Sequence, residues 1–161
     1  MWCERVIRTL ENVPNADAGG RTIDFVDLTW EECGRVVKKQ TRGGDTVRVV
    51  LPPGQQLRHN AVIFEDAARL IVVNVMPCEI IVAKVPSPRD MALLALELGN
   101  LHWPTQIAEG QLLFPEDGPA LAVLQSMKIP FARETRRFEP QKILSLPRPN
   151  VTADVQVIRS R

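Results

Sequence analysis

Two histidines, His59 and His102, and three cysteines, Cys3, Cys33 and Cys78, are the side chains of this sequence best suited to ligate a metal or move a proton. His102 stands in "ELGNLHWPTQ", between a glycine-ended apolar run and a Trp-Pro pair, and His59 stands in "LRHNAVI". One imidazole is not a metal site, because a borderline ion takes several imidazole, thiolate or carboxylate ligands. Around a two-fold axis, however, one histidine becomes two, and two neutral imidazoles suit Ni²⁺, Cu²⁺ or Zn²⁺. His59 reads as a polar turn residue. The cysteines are odd in number and form no C-x-x-C pair, which predicts reduced thiols instead of a disulfide framework or a zinc knuckle. Cys78 reads as a small buried hydrophobe.

Catalysis is not indicated. Ser87, Ser126 and Ser145 lack the G-x-S-x-G setting of an activated nucleophile. "GQQLRHN" and "RGGDTV" match neither the P-loop nor the dinucleotide pattern. The acid pairs Glu31-Glu32 and Glu116-Asp117 read first as solvated charge. Lys and Arg number 20 against 19 Asp and Glu, a net charge of +1 that creates no long-range field for nucleic acid. The mainly apolar stretch from Ala67 to Val85 is broken by Arg69, Asn74, Pro77, Glu79 and Lys84, so no membrane span is expected. The N-terminus "MWCERVIRTL" lacks a signal-like apolar run, and a cytoplasmic protein is expected.

The elements that must position these residues fall into two styles. In the first half, "RTIDFVDLTW" alternates like a strand, and "ECGRVVKKQT" and "DTVRVVLPPG" flank a tight turn at Gly43-Gly44. Val62-Phe64 and Arg69-Val75 flank a second turn at Glu65-Ala68. This half is expected to be all β, with more than one sheet sharing its core. The style changes at "VPSPRDMALLALELGN", where Ser87 can cap a helix, Pro88 can open it and Asp90 favours its positive end. Met91, Leu94, Ala95 and Leu98 follow at helical spacing, and Gly99 is expected to end the helix in left-handed backbone. A hairpin turning at Glu109-Gly110, a second helix in "DGPALAVLQSM" and a strand in "IPFARETRRFEP" complete the pattern.

With Glu79-Val85 as the leading strand, the second half reads β-α-β-β-α-β. The expected fold is therefore α+β: an N-terminal all-β domain over residues 1–77, then a ferredoxin-like split βαβ domain over residues 78–140. Residues 141–161, polar and holding Pro147 and Pro149, are expected to be a tail. A split βαβ sheet can also bind RNA through exposed aromatics, but "QLLFPED" offers only Phe114 and no basic-glycine-aromatic signature.

The sequence resembles the UreE family of urease accessory proteins, nickel metallochaperones. "LALELGNLHWPTQI" looks like that family's leucine-rich helix followed by a Gly-Asn-x-His-x-Pro signature. "LPPGQQLRHNAVIFEDAARLIVV" resembles its Leu-Pro-x-Gly segment, and "IDFVDLTWEECGRVVKKQTRGGDTVRVVLPPG" fits its N-terminal domain in order and spacing. The resemblance implies no catalysis. It implies a homodimer formed through the second domain, with His102 of each protomer at the interface as ligand to Ni²⁺ cargo, and Zn²⁺ or Cu²⁺ as possible substitutes. It also implies delivery to apo-urease with an accessory complex that includes the GTPase UreG. The further histidines common at the start of the family's second helix and in its tail are missing here, since those stretches read "FPEDGPA" and "LPRPNVTADVQVIRSR". Leu101 stands where arginine is common. Two imidazoles leave a nickel centre unfilled, which points to water, to a partner protein, or to Glu116 and Asp117 as weaker contributors. The alternative reading is a metal-independent urease assembly factor with a decayed metal site, whose N-terminal β domain grips an extended partner segment.

Overall fold

β-branched residues recur along the first half between turn formers, and such residues pack well on a pleated surface. The computed structural model describes residues 1–11, 20–34, 36–52 and 55–141. Its N-terminal strands are β1 (Trp2–Cys3), β2 (Arg8–Thr9), β3 (Thr22–Leu28), β4 (Val37–Gln40), β5 (Thr46–Val49), β6 (Ala61–Glu65) and β7 (Arg69–Val75). They form a three-stranded sheet in the order β1-β5-β4 and a four-stranded sheet in the order β2-β6-β7-β3. In β7 both faces are apolar. Ile71, Val73 and Val75 enter the core shared with Val47, Val49 and Val37 of the smaller sheet, while Leu70 and Val72 join Leu10 and Val62 on the opposite face. Each such side chain taken fully out of water contributes about 1.5–3 kcal/mol, which makes β7 the strand around which this half is built.

Several pairings are non-local and escape sequence reading. β3 lies parallel to β7, and β1 lies parallel to β5, with Trp2 opposite Arg48. The expected strands through Trp30 and from Glu32 form only in part, as β3 and β4, because Trp30–Gly34 between them is a 3₁₀ helix. The Glu32 carboxylate accepts from the Thr29 amide at 2.9 Å, and the Thr29 carbonyl accepts from the Glu32 amide at 3.2 Å, so a local side-chain cap turns the chain. The Thr41–Gly44 turn is as expected, with Gly44 at φ 92°.

The second half contains β8 (Cys78–Lys84), α1 (Pro88–Asn100), β9 (Gln106–Ala108), β10 (Gln111–Phe114), α2 (Gly118–Met127) and β11 (Phe131–Arg136). The strands form one sheet in the order β11-β8-β10-β9, and every neighbouring pair is antiparallel. The β9-β10 hairpin turns at Gly110, φ 65°. Strand alternation sends Ile81, Ala83, Leu112 and Phe114 to one face, where α1 and α2 cover them with Leu94, Leu98, Ala120 and Leu124. The fold is thus mixed α+β, mostly sheet with two helices.

The opposite face of this sheet presents Ile80, Val82 and Leu113. Phe138, 1% exposed, closes over them and meets the Trp30 ring edge-on at 5.1 Å between centroids. Residues 137–141 therefore act as a strap between the two halves. Arg137 Nε donates to the Val75 carbonyl at 3.1 Å, the Glu139 carboxylate accepts from the His59 amide at 2.7 Å, and the Gln141 amide donates to the Thr105 carbonyl at 2.8 Å. Of the expected tail, residues 142–161 lie outside the described residues. Among the described residues no helix is long and apolar enough to cross a membrane.

Candidate metal centre

Helix α1 begins as its sequence predicts. Ser87 caps it from an extended backbone, its Oγ accepting from the Asp90 amide at 3.1 Å, and proline follows in the first turn. Its end corrects the expectation about Gly99. The helix continues through Gly99 to Asn100, Leu101 is the C-cap, and the residue that takes the left-handed conformation is His102 itself, at φ 53°. The His102 amide donates to the Gly99 carbonyl at 3.0 Å and the Trp103 amide to the Leu98 carbonyl at 2.9 Å, the paired bonds of a Schellman cap. Glycine is the usual residue there, since a side chain costs roughly 1–2 kcal/mol in left-handed backbone.

Trp103 explains why the chain turns three residues later than glycine would suggest. The Schellman cap favours an apolar contact between the residue after the left-handed position and the last helical turn. Trp103 supplies it by packing into the cluster that holds Leu98, and its Nε1 donates to the Pro115 carbonyl at 3.0 Å. Gly99 followed by tryptophan could not make that contact in the same register. With Trp103 anchored, His102 projects outward and is exposed. It borders a groove of about 220 Å³ together with Ala95, Gly99, Pro104, Ile107 and Gln141.

The other candidate ligands are placed elsewhere. Glu116 has both carboxylate oxygens on Arg133, at 2.8 and 2.7 Å, and that guanidinium holds its carboxyl below the usual carboxylate range. Asp117 is the N-cap residue of α2, and its side chain makes no capping hydrogen bond. The Cys33 thiol is pushed up to about 12 by burial and by Glu139, Glu32 and Glu31, so it is protonated and a poor ligand at neutral pH. Burial also raises Cys78. His59 is half-buried at the junction of the halves, with Nδ1 enclosed and unpaired, and its imidazole is harder to protonate than usual because of burial and then Arg137, with Glu139 opposing. Among the described residues no three His, Cys, Asp or Glu side chains converge as a metal cage.

Two models of known protein families match the chain. The N-terminal domain model of the UreE urease accessory protein matches residues 4–76, and the C-terminal domain model matches residues 78–147. The chain belongs to the UreE family.

UreE proteins are accessory chaperones of urease maturation and not enzymes. The urease accessory protein UreE of Flavobacterium johnsoniae is 34% identical over 105 residues, a span covering 64% of this chain and 64% of that protein. Its counterpart in Bacillus cereus is 31% identical over 102 residues, 63% of this chain and 68% of that one. The Helicobacter pylori strain G27 protein is 25% identical over 162 residues and aligns with 98% of this chain and 94% of its own. The family is associated with metal handling in urease assembly, and in this member His102 is an exposed imidazole that joins no three-ligand group among the described residues. Residue type and spacing single out His102 as a candidate without indicating its backbone state. The available signal was Trp103, an apolar residue at the spacing from Leu98 that a Schellman cap requires.

Proposed function

We propose that two copies of this chain pair through the second half and carry Ni²⁺ to apo-urease, with His102 of each copy as the central ligand. The observation that carries this reading is the exposed imidazole of His102, held on left-handed backbone beside a Trp103 that is packed into the core. Strain of this kind gathers at functional positions. On α1, at its C-cap and on β9, Leu93, Leu96, Leu101 and Ile107 are large apolar side chains left 43%, 59%, 41% and 56% exposed, which a second copy would cover. Two-fold pairing turns one imidazole into two without any further histidine. The remaining coordination falls to water or to a recipient protein, and an open, labile site suits a cargo that must be handed on. Asp117 is free to contribute, whereas Glu116 must first leave Arg133.

On this reading residues 1–77 form a partner-binding β domain, and residues 78–140 form a ferredoxin-like domain for metal binding and dimerisation. The β11-β8-β10-β9 order supports the second assignment. The recipient is the urease apoprotein with its accessory complex, including the GTPase UreG, in the cytoplasm. Zn²⁺ and Cu²⁺ compete for the same imidazoles.

Calorimetric titration with Ni²⁺, paired with sedimentation analysis, tests the proposal. Wild type should bind as a dimer, and His102→Ala should stay dimeric while losing binding; unchanged nickel affinity in the variant would sink the idea. A second reading, metal-independent assembly, is favoured by the lack of a ligand cage among the described residues. It is selected if wild type binds urease apoprotein but no nickel.

A further inference from the structure

A larger concavity lies at the junction of the two halves, away from the groove beside His102. It is an open concavity of about 590 Å³, inside the roughly 300–1,000 Å³ range of small-molecule pockets. Its lining combines apolar Ile23, Phe25 and Pro77 with Arg42, Arg137, His59, Asn60 and Asn74. The Arg42 guanidinium lies over the Phe25 ring, 5.0 Å from its centroid. No carboxylate is among the described residues that line it.

Its two arginines are in different states. Arg42 is already satisfied, because Nε and one terminal nitrogen grip Asp27 at 3.0 and 2.7 Å. Arg137 donates only through Nε, to the Val75 carbonyl at 3.1 Å, and its terminal nitrogens find no acceptor among the described residues. A guanidinium with open ends matches the two oxygens of a carboxylate, and it is weakly hydrated enough to work beside apolar surface. A bare inorganic anion would leave Ile23, Phe25 and Pro77 uncovered, and a neutral apolar molecule would leave Arg137 unpaired.

We propose that this junction pocket is a binding site for a small organic carboxylate with an apolar body, the carboxylate on Arg137 and the body against Ile23, Phe25 and Pro77. The site is independent of nickel. His59 reports on it, because Arg137 and burial oppose protonation of that imidazole while Glu139 favours it, and Arg42 is the other charged side chain on the wall. A carboxylate seated on Arg137 offsets the repulsion, so the His59 titration midpoint rises when the pocket fills. By linkage, binding strengthens as pH falls through that midpoint.

The test is an NMR titration of the full chain with hexanoate and benzoate, with hexanamide and benzamide as neutral isosteres and inorganic phosphate as the charge-only control. Saturable shifts of the His59 ring signals are expected with the carboxylates. Affinity should be weaker by about tenfold for the amides and for phosphate, the scale of one charge-assisted contact. Arg137→Gln should erase the preference for acid over amide, and Arg137→Lys should restore part of it. Should Arg137→Gln fail to fold, Ile23→Glu, which places an anion in the pocket wall, must abolish carboxylate binding. Equal affinity for acid and amide, absence of saturable shifts, or binding that survives both Arg137→Gln and Ile23→Glu overturns the proposal.

Discussion

His102 and His59 share a side chain and nothing of their surroundings. His102 stands exposed past the end of α1, on backbone that most residues avoid, with its amide tied to Gly99 and, among the described residues, in no group of three His, Cys, Asp or Glu side chains. His59 sits half-buried where the two halves meet, with its amide on Glu139, Nδ1 enclosed and Arg137 nearby. The first environment leaves an imidazole free to receive an external ligand. The second uses the ring as packing and sets its charge from within. Location relative to the core, and not residue type, separates the metal candidate from the structural one.

The largest effect expected from disturbing this contrast is on the junction. Phe138→Ala removes a buried ring that covers Ile80, Val82 and Leu113, at a cost of about 3–5 kcal/mol. Hydrogen exchange should show the His59 amide losing protection while the His102 amide, bonded within its own cap, keeps it. If both amides open together, the two regions are one cooperative unit and the contrast fails.

At the other site, His102→Ala is expected to lower nickel affinity by at least about tenfold, read by calorimetry, with little change in melting temperature. His102→Gly sharpens the point by moving stability and function in opposite directions. Glycine relieves the left-handed strain at φ 53°, so the variant should gain about 0.5–1 kcal/mol in denaturant unfolding while binding no nickel. A variant that is less stable than wild type would show that the histidine ring contributes contacts of its own.

The smallest effect concerns pH. The folded-state pKa of His59 lies below its unfolded value, so below about pH 6.5 the unfolded chain takes up more protons. Stability present above that value is therefore lost as pH falls toward the folded pKa. His59→Gln should flatten this part of the melting profile between neutral and mildly acidic pH. A slope as steep as that of wild type would show that burial of His59 does not set it.

Much of this was legible in the sequence because it rests on local chemistry. The Ser87 cap, the turns at Gly44 and Gly110 and the helical spacing of Leu94 and Leu98 each follow from a few neighbouring residues. The parallel pairs β1-β5 and β3-β7 were not legible, since their partners are separated by long stretches of chain and no short-range pattern marks them. The 3₁₀ turn at Trp30–Gly34 was hidden by its apolar alternation, which Glu32 overrides with one side-chain bond. Gly99 misled for a related reason. Glycine permits a left-handed stop without requiring one, and the decision passed to the packing of Trp103.

Residue type and spacing carry directly the element order from β8 to β11, the family signature and the candidacy of His102. Only the tertiary structure decided that His102 bears the strained backbone, that Arg133 occupies Glu116, and that Phe138 straps the halves together beside a cationic pocket. These depend on which distant side chains meet, and that is set by the joint burial of apolar surface from the whole chain.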